Sequence, residues 1–331
     1  MPTTLKRSLK IVKESWPFLR PFTISRGTKT TADVILVELE QDGMKGRAEC
    51  VPYPRYNENI KSVAKQIADL TEVIETGLSR AELQTIINPG AARNALDCAL
   101  WDLEAKLKKK PVWELAGLPP PKKVLTAVTI GIGTPDAMGR RANELSGSPL
   151  IKVKLDSERV LERLTAVRSN APNARLIIDP NEGWKPDLLD AYLKDSETLG
   201  VEMVEQPLLS SNDERLLAVN TRMTICADES CHHRADLKNL IGKYSMINIK
   251  LDKTGGLTEA LALKKEAEAM GLTIMVGCMT STSLAMAPAM LIAQGASIVD
   301  LDGPLFLKND RNPGLRFDGY EILPADRAIW G

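Results

Sequence analysis

The sequence predicts a β/α barrel preceded by an α+β domain, and three observations lead there. From about residue 124 onward, short β-branched apolar runs alternate with polar, helix-compatible stretches. Eight such runs follow one another, the strand number of a closed barrel rather than the five or six of an open sheet. Before them, the first third of the chain lacks this alternation and carries hairpin and helix signals instead.

In chain order, Ile35-Leu36-Val37-Glu38-Leu39 and the Gln41-Asp42-Gly43 turn predict an antiparallel hairpin. Leu96, Leu100, Leu103 and Leu107 recur at helical spacing after Pro89-Gly90 and predict a helix. The barrel runs are Val124–Gly131, Leu150–Leu155, Ala174–Asp179, Val201–Pro207, Met223–Glu229, Met246–Leu251, Thr273–Gly277 and Ser297–Asp302. Beyond them Pro304, Pro313, Gly314 and Pro324 break any long helix, so this tail is expected to return over the first domain. The expected division is an α+β capping domain over 1–117, completed by 305–331, and a barrel over 118–304.

Composition narrows the function. The 331 residues are 44% hydrophobic and 26% charged, the proportions of a soluble globular chain. Lys and Arg number 43 against 43 Asp and Glu, so no basic field draws nucleic acid or an anionic membrane, and neither is expected as a partner. The first twenty residues are too charged for a signal peptide and no apolar run reaches the roughly 20 residues of a span, so a cytoplasmic location is expected. Cys50, Cys98, Cys226, Cys231 and Cys278 are odd in number and scattered without C-x-x-C spacing, which points to reduced thiols rather than disulfides or zinc.

Barrel enzymes work at the C-terminal ends of their strands, and here those ends are charged in sequence. Run two ends Lys152-Val153-Lys154, run three Asp179-Pro180-Asn181, run four Glu205-Gln206-Pro207, run five Asp228-Glu229; run six contains Lys250 and run eight ends Asp300-Leu301-Asp302. Asp179, Glu205 and Asp228 are expected to converge from three neighbouring strands, where they would repel unless a cation sat between them. Oxygen ligands without His or Cys favour a hard ion, Mg²⁺ above Ca²⁺. The competing reading makes them helix caps or partners of nearby lysines. Lys154 and Lys250 come from nearly opposite sides of a closed barrel. If burial, a metal and a second ammonium lowered their pKa towards 7 or 8, one could remove a proton from a carbon and the other return one from the opposite face, inverting a stereocentre; otherwise they are rim lysines in solvent. Lys152, two residues before Lys154, shares its face and can reach the same carboxylates. Asp300 and Asp302 suit a cationic group of a ligand, or else cap the following turn. His232 and His233 read as ordinary loop residues.

These residues resemble the enolase superfamily and, within it, the muconate-lactonising subgroup: Lys-x-Lys, then Asp, Glu and Asp on three strands, then the Lys-x-Asp-x-x-Gly-Gly of Lys250 to Gly256. The 300–304 segment Asp-Leu-Asp-Gly-Pro, Gly277-Cys278-Met279, the stretch Glu49 to Tyr56 and the stretch Ala91 to Asp97 are similar to the dipeptide epimerases of the L-Ala-D/L-Glu type, over nearly the whole chain. The resemblance implies a modified (β/α)₇β barrel of the TIM type under its cap, and epimerisation of the glutamate residue of L-Ala-D-Glu and L-Ala-L-Glu in peptidoglycan peptide recycling. It implies Mg²⁺, replaceable by Mn²⁺, on Asp179, Glu205 and Asp228, with Lys154 and Lys250 as the acid/base pair and Lys152 neutralising the enolate oxygens. Asp300 and Asp302 would hold the substrate ammonium, Arg26 its glutamate side chain, and Thr129 and Cys278 would line the dipeptide. The oligomeric state, monomer or homo-oligomer, stays open. Rival readings are o-succinylbenzoate synthase or muconate cycloisomerase chemistry, whose substrates lack an ammonium, and an inert Mg²⁺-dependent binding protein, which would be expected to have lost one of the two lysines.

Overall fold

A computed structural model describes residues 7–331; residues 1–6 of the expected capping domain lie outside the described residues. Strands β1 (Arg7–Ile24), β2 (Gly27–Gln41) and β3 (Met44–Cys50) form an antiparallel sheet. The predicted β2–β3 hairpin turns through Asp42 and Gly43, both at positive φ (53° and 74°), as a two-residue turn of this hand requires. Helices α1 (Ile60–Ala68), α2 (Thr71–Glu75) and α3 (Arg80–Ile86) lead to the predicted long helix α4 (Ala91–Leu107), with α5 (Val112–Leu115) after it. Its Leu96, Leu100 and Leu103 are buried in the core it shares with β2 and β3. Arg93, Asn94 and Asp97 face the barrel instead, so α4 is buried on nearly all sides and joins the two parts of the molecule.

The barrel strands are β5 (Val128–Ile130), β6 (Leu150–Lys154), β7 (Arg175–Asp179), β8 (Val201–Glu205), β9 (Thr224–Ala227), β10 (Met246–Ile249), β11 (Thr273–Gly277) and β12 (Ile298–Asp300), parallel and in sequential order. The Ala127 N–H donates to the Val299 carbonyl at 2.8 Å and joins the first strand to the last. The first apolar run proves to be two strands. Its opening part, β4 (Val124–Leu125), pairs with a C-terminal hairpin, β13 (Phe317–Asp318) and β14 (Glu321–Ile322), and the chain changes partner at Thr126 before β5 begins. Crossovers after the first three strands are the helices α6 (Pro135–Glu144), α7 (Val160–Asn170) and α8 (Leu189–Thr198). After β8 and β9 they shorten to 3₁₀ stretches, Ser210–Ala218 and Arg234–Asn239. Short helix α9 (Leu251–Thr254) and α10 (Leu257–Ala269) follow β10, and α11 (Ser283–Ile292) follows β11. A 3₁₀ turn, Gly303–Phe306, succeeds β12, so the eight strands carry seven crossovers.

The tail returns to the first domain. Trp330 Nε1 donates to the Cys98 carbonyl at 3.0 Å, the Gly331 N–H to Asp102 at 2.7 Å, and Arg311 reaches Glu14 and Glu49. The Gly255-Gly256 pair has a packing reason: a Cβ at Gly255 would lie 2.4 Å from Arg93 Nε, and one at Gly256 would lie 2.5 Å from Asp97. Glycine is what lets α4 dock against the end of β10. No helix among the described residues is long and apolar enough to cross a membrane.

Candidate active site

The strand period builds the site. Ala127, Leu150, Ile177, Met203, Cys226, Met246, Met275 and Ile298, one from each strand or the residue leading into it, pack together as an apolar floor. Side chains two residues on share that inward face. They are Thr129, Lys152, Asp179, Glu205, Asp228, Asn248, Gly277 and Asp300. Two residues further come Lys154, Asn181, Lys250, Met279 and Asp302. One apolar layer thus carries a charged layer and, above it, the two lysines from the second and sixth strands, which both line the cavity.

Every one of these charged groups is buried. Lys152 Nζ lies 2.6 Å from Glu205, 2.7 Å from Asp300 and 3.2 Å from Asp179. Lys154 pairs with Asp179 and donates to Asn181 Oδ1 at 3.0 Å. Lys250 Nζ is 2.6 Å from Asp228 and 3.8 Å from Glu205. The reading of the lysines as solvent-exposed is therefore excluded. The three carboxylates stand side by side but are bridged by ammonium groups, and among the described residues no three His, Cys, Asp or Glu side chains form a close metal cluster. The three carboxylates from adjacent strands thus meet in one layer, each paired with a lysine.

Burial alone would lower the Lys250 pKa, but Asp228 and Glu205 outweigh it and hold the ammonium well above the ordinary lysine range. Lys152 is raised likewise, by Asp300, Glu205 and Asp179 against its burial. Glu205 is pushed up by burial and by Asp179, while the lysines hold Asp228 down against its burial. Two buried oxygens, Glu205 Oε2 and Asp228 Oδ1, accept no well-directed hydrogen bond, although Lys152 and Lys253 Nζ approach each to 2.6 Å off axis. Oxygen donors with unused lone pairs, beside a carboxylate short of positive charge, fit a hard divalent cation.

These layers open into a cavity of about 880 Å³ under the cap. Thr129 lines it from the first barrel strand, and Cys278, Asp300 and Asp302 line it from the ends of the last two. Asp302 lies two residues past β12 at the start of the 3₁₀ turn, yet reaches back: its Oδ2 accepts the Thr129 N–H at 2.8 Å. Burial and Asp300 lift its pKa to about 7. Burial also raises the Cys278 thiol. Arg26 sits in the tight β1–β2 turn at the cavity's edge, 2.8 Å from Glu229 and 3.4 Å from Glu182, and donates to the Tyr53 hydroxyl at 3.2 Å. His232 packs edge-on against Tyr56, and burial lowers its pKa to about 4, in keeping with a loop role.

The sequence reading missed several residues. Lys253 is fully buried, contacting Asp228 and donating to the Cys231 and Asn248 carbonyls at 2.9 Å. Asn248 donates to Glu205 at 2.7 Å, and Gly277 leaves it room. The period that placed Asp228 also places Asn248, so that signal was available. Lys253, on the turn after β10, gave none.

A barrel with a carboxylate at the end of each of three consecutive strands and a lysine on either side, closed by an α+β cap, defines an enolase-type enzyme. Residues 6–117 match the mandelate racemase / muconate lactonizing enzyme N-terminal domain and residues 137–305 the enolase C-terminal domain-like family; the chain belongs to this family. It is 49% identical over 318 residues to the L-Ala-D/L-Glu epimerase of Escherichia coli, covering 96% of this chain and 99% of the relative. The N-acetyl-D-glutamate racemase of a Pseudoalteromonas species is 42% identical over 303 residues, 90% and 95% of the two chains. An Agrobacterium tumefaciens enolase family member with homology to dipeptide epimerases, solved with sodium, L-Ala-L-Glu and an ordered loop, superposes with a TM-score of 0.97 at 49% identity, covering 98% and 100% of the chains. A dipeptide epimerase from Enterococcus faecalis, complexed with Mg and L-Leu-L-Tyr, gives 0.88 at 27% identity over 98% of each chain.

Proposed function

We propose that this enzyme inverts the α-carbon of the C-terminal residue of L-Ala-D-Glu and L-Ala-L-Glu by moving protons between Lys154 and Lys250. One observation carries the reading: two buried lysines from the second and sixth of eight strands flank one carboxylate layer, so a carbon held between them meets an amine on each face. In its neutral form one lysine takes the α-proton, and the other, as ammonium, delivers a proton to the opposite face. Mg²⁺ held by Asp179, Glu205 and Asp228 would bind the substrate's α-carboxylate, stabilise the charge that grows there and offset the carboxylates that now raise Lys250. Lys152 places a further fixed positive charge beside the same oxygens. Asp300 and Asp302 suit the dipeptide ammonium, with Thr129 and Cys278 beside them. Arg26, with five donors, can add a substrate carboxylate to Glu229 and Tyr53. The five cysteines are free, which supports the cytoplasm as the place of action, in peptidoglycan peptide recycling.

A second reading is racemisation of an N-acylated glutamate, as the Pseudoalteromonas relative's name states of that protein. The observation in its favour is Asp302, lifted to about 7 and so partly neutral, which suits an uncharged acyl group better than an ammonium. Synthase or cycloisomerase chemistry leaves the Asp300/Asp302 pair without a task. The test is chiral chromatography of L-Ala-D-Glu, L-Ala-L-Glu and N-acetyl-D-glutamate after incubation with protein and Mg²⁺. Both dipeptides should reach one common mixture; inversion of the acetylated substrate alone would replace the first reading with the second.

A further inference from the structure

We infer, resting on the epimerase reading above, that Glu182 is a positioning residue that couples docking of the cap to the placement of Lys154. After β7 the chain takes two successive non-glycine residues through the left-handed region, Asn181 at φ 48° and Glu182 at φ 65°. Asn tolerates this; Glu does so only where its surroundings enforce it, and such strain gathers at functional sites. The enforcing contacts are specific. Glu182 N–H donates to the carbonyl of Gln206, itself at φ 36°, at 2.9 Å. The buried Glu182 carboxylate takes a bidentate grip from Arg55 (2.6 and 2.7 Å), a hydrogen bond from the Ser210 N–H (2.9 Å) and a contact from Arg26 (3.4 Å).

Both arginines belong to the cap, one in the β1–β2 turn and one in the turn after β3. The neighbouring residue completes the connection. The Asn181 carbonyl accepts Ser25 Oγ and Arg26 Nη1, each at 3.0 Å, while its side-chain amide holds Lys154 Nζ at 3.0 Å and Asp179 at 3.1 Å. Two residues thus touch the cap on one side and one of the two bases on the other. Lys250 makes none of these contacts; its partners are Asp228 and Glu205. Releasing Glu182 lets the left-handed step relax and carries the Asn181 amide away from Lys154, leaving Lys250 in place.

The test follows both dipeptide epimers in D₂O with the full chain and Mg²⁺, reading inversion and α-deuteration separately. Inversion needs both lysines; exchange without inversion needs only the one that removes and returns the proton. Glu182→Ala is expected to slow inversion in both directions at least tenfold, while the epimer whose α-proton faces Lys250 keeps exchanging within threefold of the parent rate. Glu182→Gln, which can still accept from Arg55, should restore most of the lost inversion. Arg55→Met breaks the same clamp from the partly exposed cap side and should shift the ratio in the same direction, carrying the test if Glu182→Ala does not fold. Inversion and exchange falling by one common factor, or neither changing, would overturn the inference. A parent protein that exchanges neither epimer would instead overturn the epimerase reading.

Discussion

Replacing Lys152 by Met removes one of the most deeply enclosed cations in the molecule and leaves its three partners behind. Its ammonium touches Glu205, Asp300 and Asp179, all buried, in a layer where Asp179, Glu205, Asp228, Asp300 and Asp302 already outnumber Lys152, Lys154, Lys250 and Lys253. Met matches the stem but supplies no charge, so Asp300 and Glu205 lose their nearest cation. Breaking a buried pair by deleting one partner costs about 3–5 kcal/mol. For a chain of 331 residues that corresponds to a fall in Tm of about 4–7 °C. Calorimetry of parent and variant in chelator at pH 7, at matched scan rates, measures it. An unchanged or raised Tm would show that Lys152 does not balance this layer, and the electrostatic account of the site would fail with it.

Lys154→Ala and Lys250→Ala should each abolish inversion, and each variant should exchange the α-proton of one epimer only; a variant that deuterates both epimers equally would mean one base reaches both faces. Arg26→Ala should lower kcat/KM for L-Ala-Glu by roughly 10- to 150-fold, the equivalent of a lost charged hydrogen bond of about 1.5–3 kcal/mol, and spare a dipeptide with a neutral second residue; equal losses would make Arg26 a support of the cap. Excess chelator should abolish activity, Mg²⁺ restore it and Mn²⁺ restore it in part, while Glu205→Gln weakens Mg²⁺ binding in calorimetric titration. Burial lifts Asp252 to about 7 against the hydrogen bonds from the Val51 N–H and Asn94. The folded state therefore keeps a proton that the unfolded chain loses near pH 4, so this group makes stability fall as pH rises from about 4 to 7, by on the order of 3 kcal/mol. Urea unfolding of Asp252→Asn across that range should show a correspondingly flatter decline than the parent.

The barrel and its charged layer were legible because both follow from a local rule. A strand buries every second side chain, so an apolar residue on the floor and a charged one two positions later announce the inward face of each run. That rule located Lys152, Lys154, Asp179, Glu205 and Asp228 without any knowledge of which strands touch. Long-range partner choice was not legible. The break at Thr126 exists because Val124 pairs with Ile322, nearly 200 residues away, while Ala127 bonds to Val299. The 3₁₀ crossovers after β8 and β9 were hidden because their polar stretches are helix-compatible and the segments that hold them are about as long as the one that forms α6. Charge balance was also hidden: Lys253 and Glu182 look like surface residues, and only the turns that carry them aim them inward. The partners of Lys250 were hidden for the same reason, since Asp228 and Glu205 reach it from two other strands.

The central claim is that one carbon is deprotonated and reprotonated on opposite faces. Proton NMR of L-Ala-D-Glu and of L-Ala-L-Glu, each incubated separately with the protein and Mg²⁺ in D₂O, tests it directly. The account predicts that the Glu α-proton signal disappears from both samples as both approach the same mixture of diastereomers, with deuterium in every inverted molecule. Retention of the α-proton signal in both samples would contradict it.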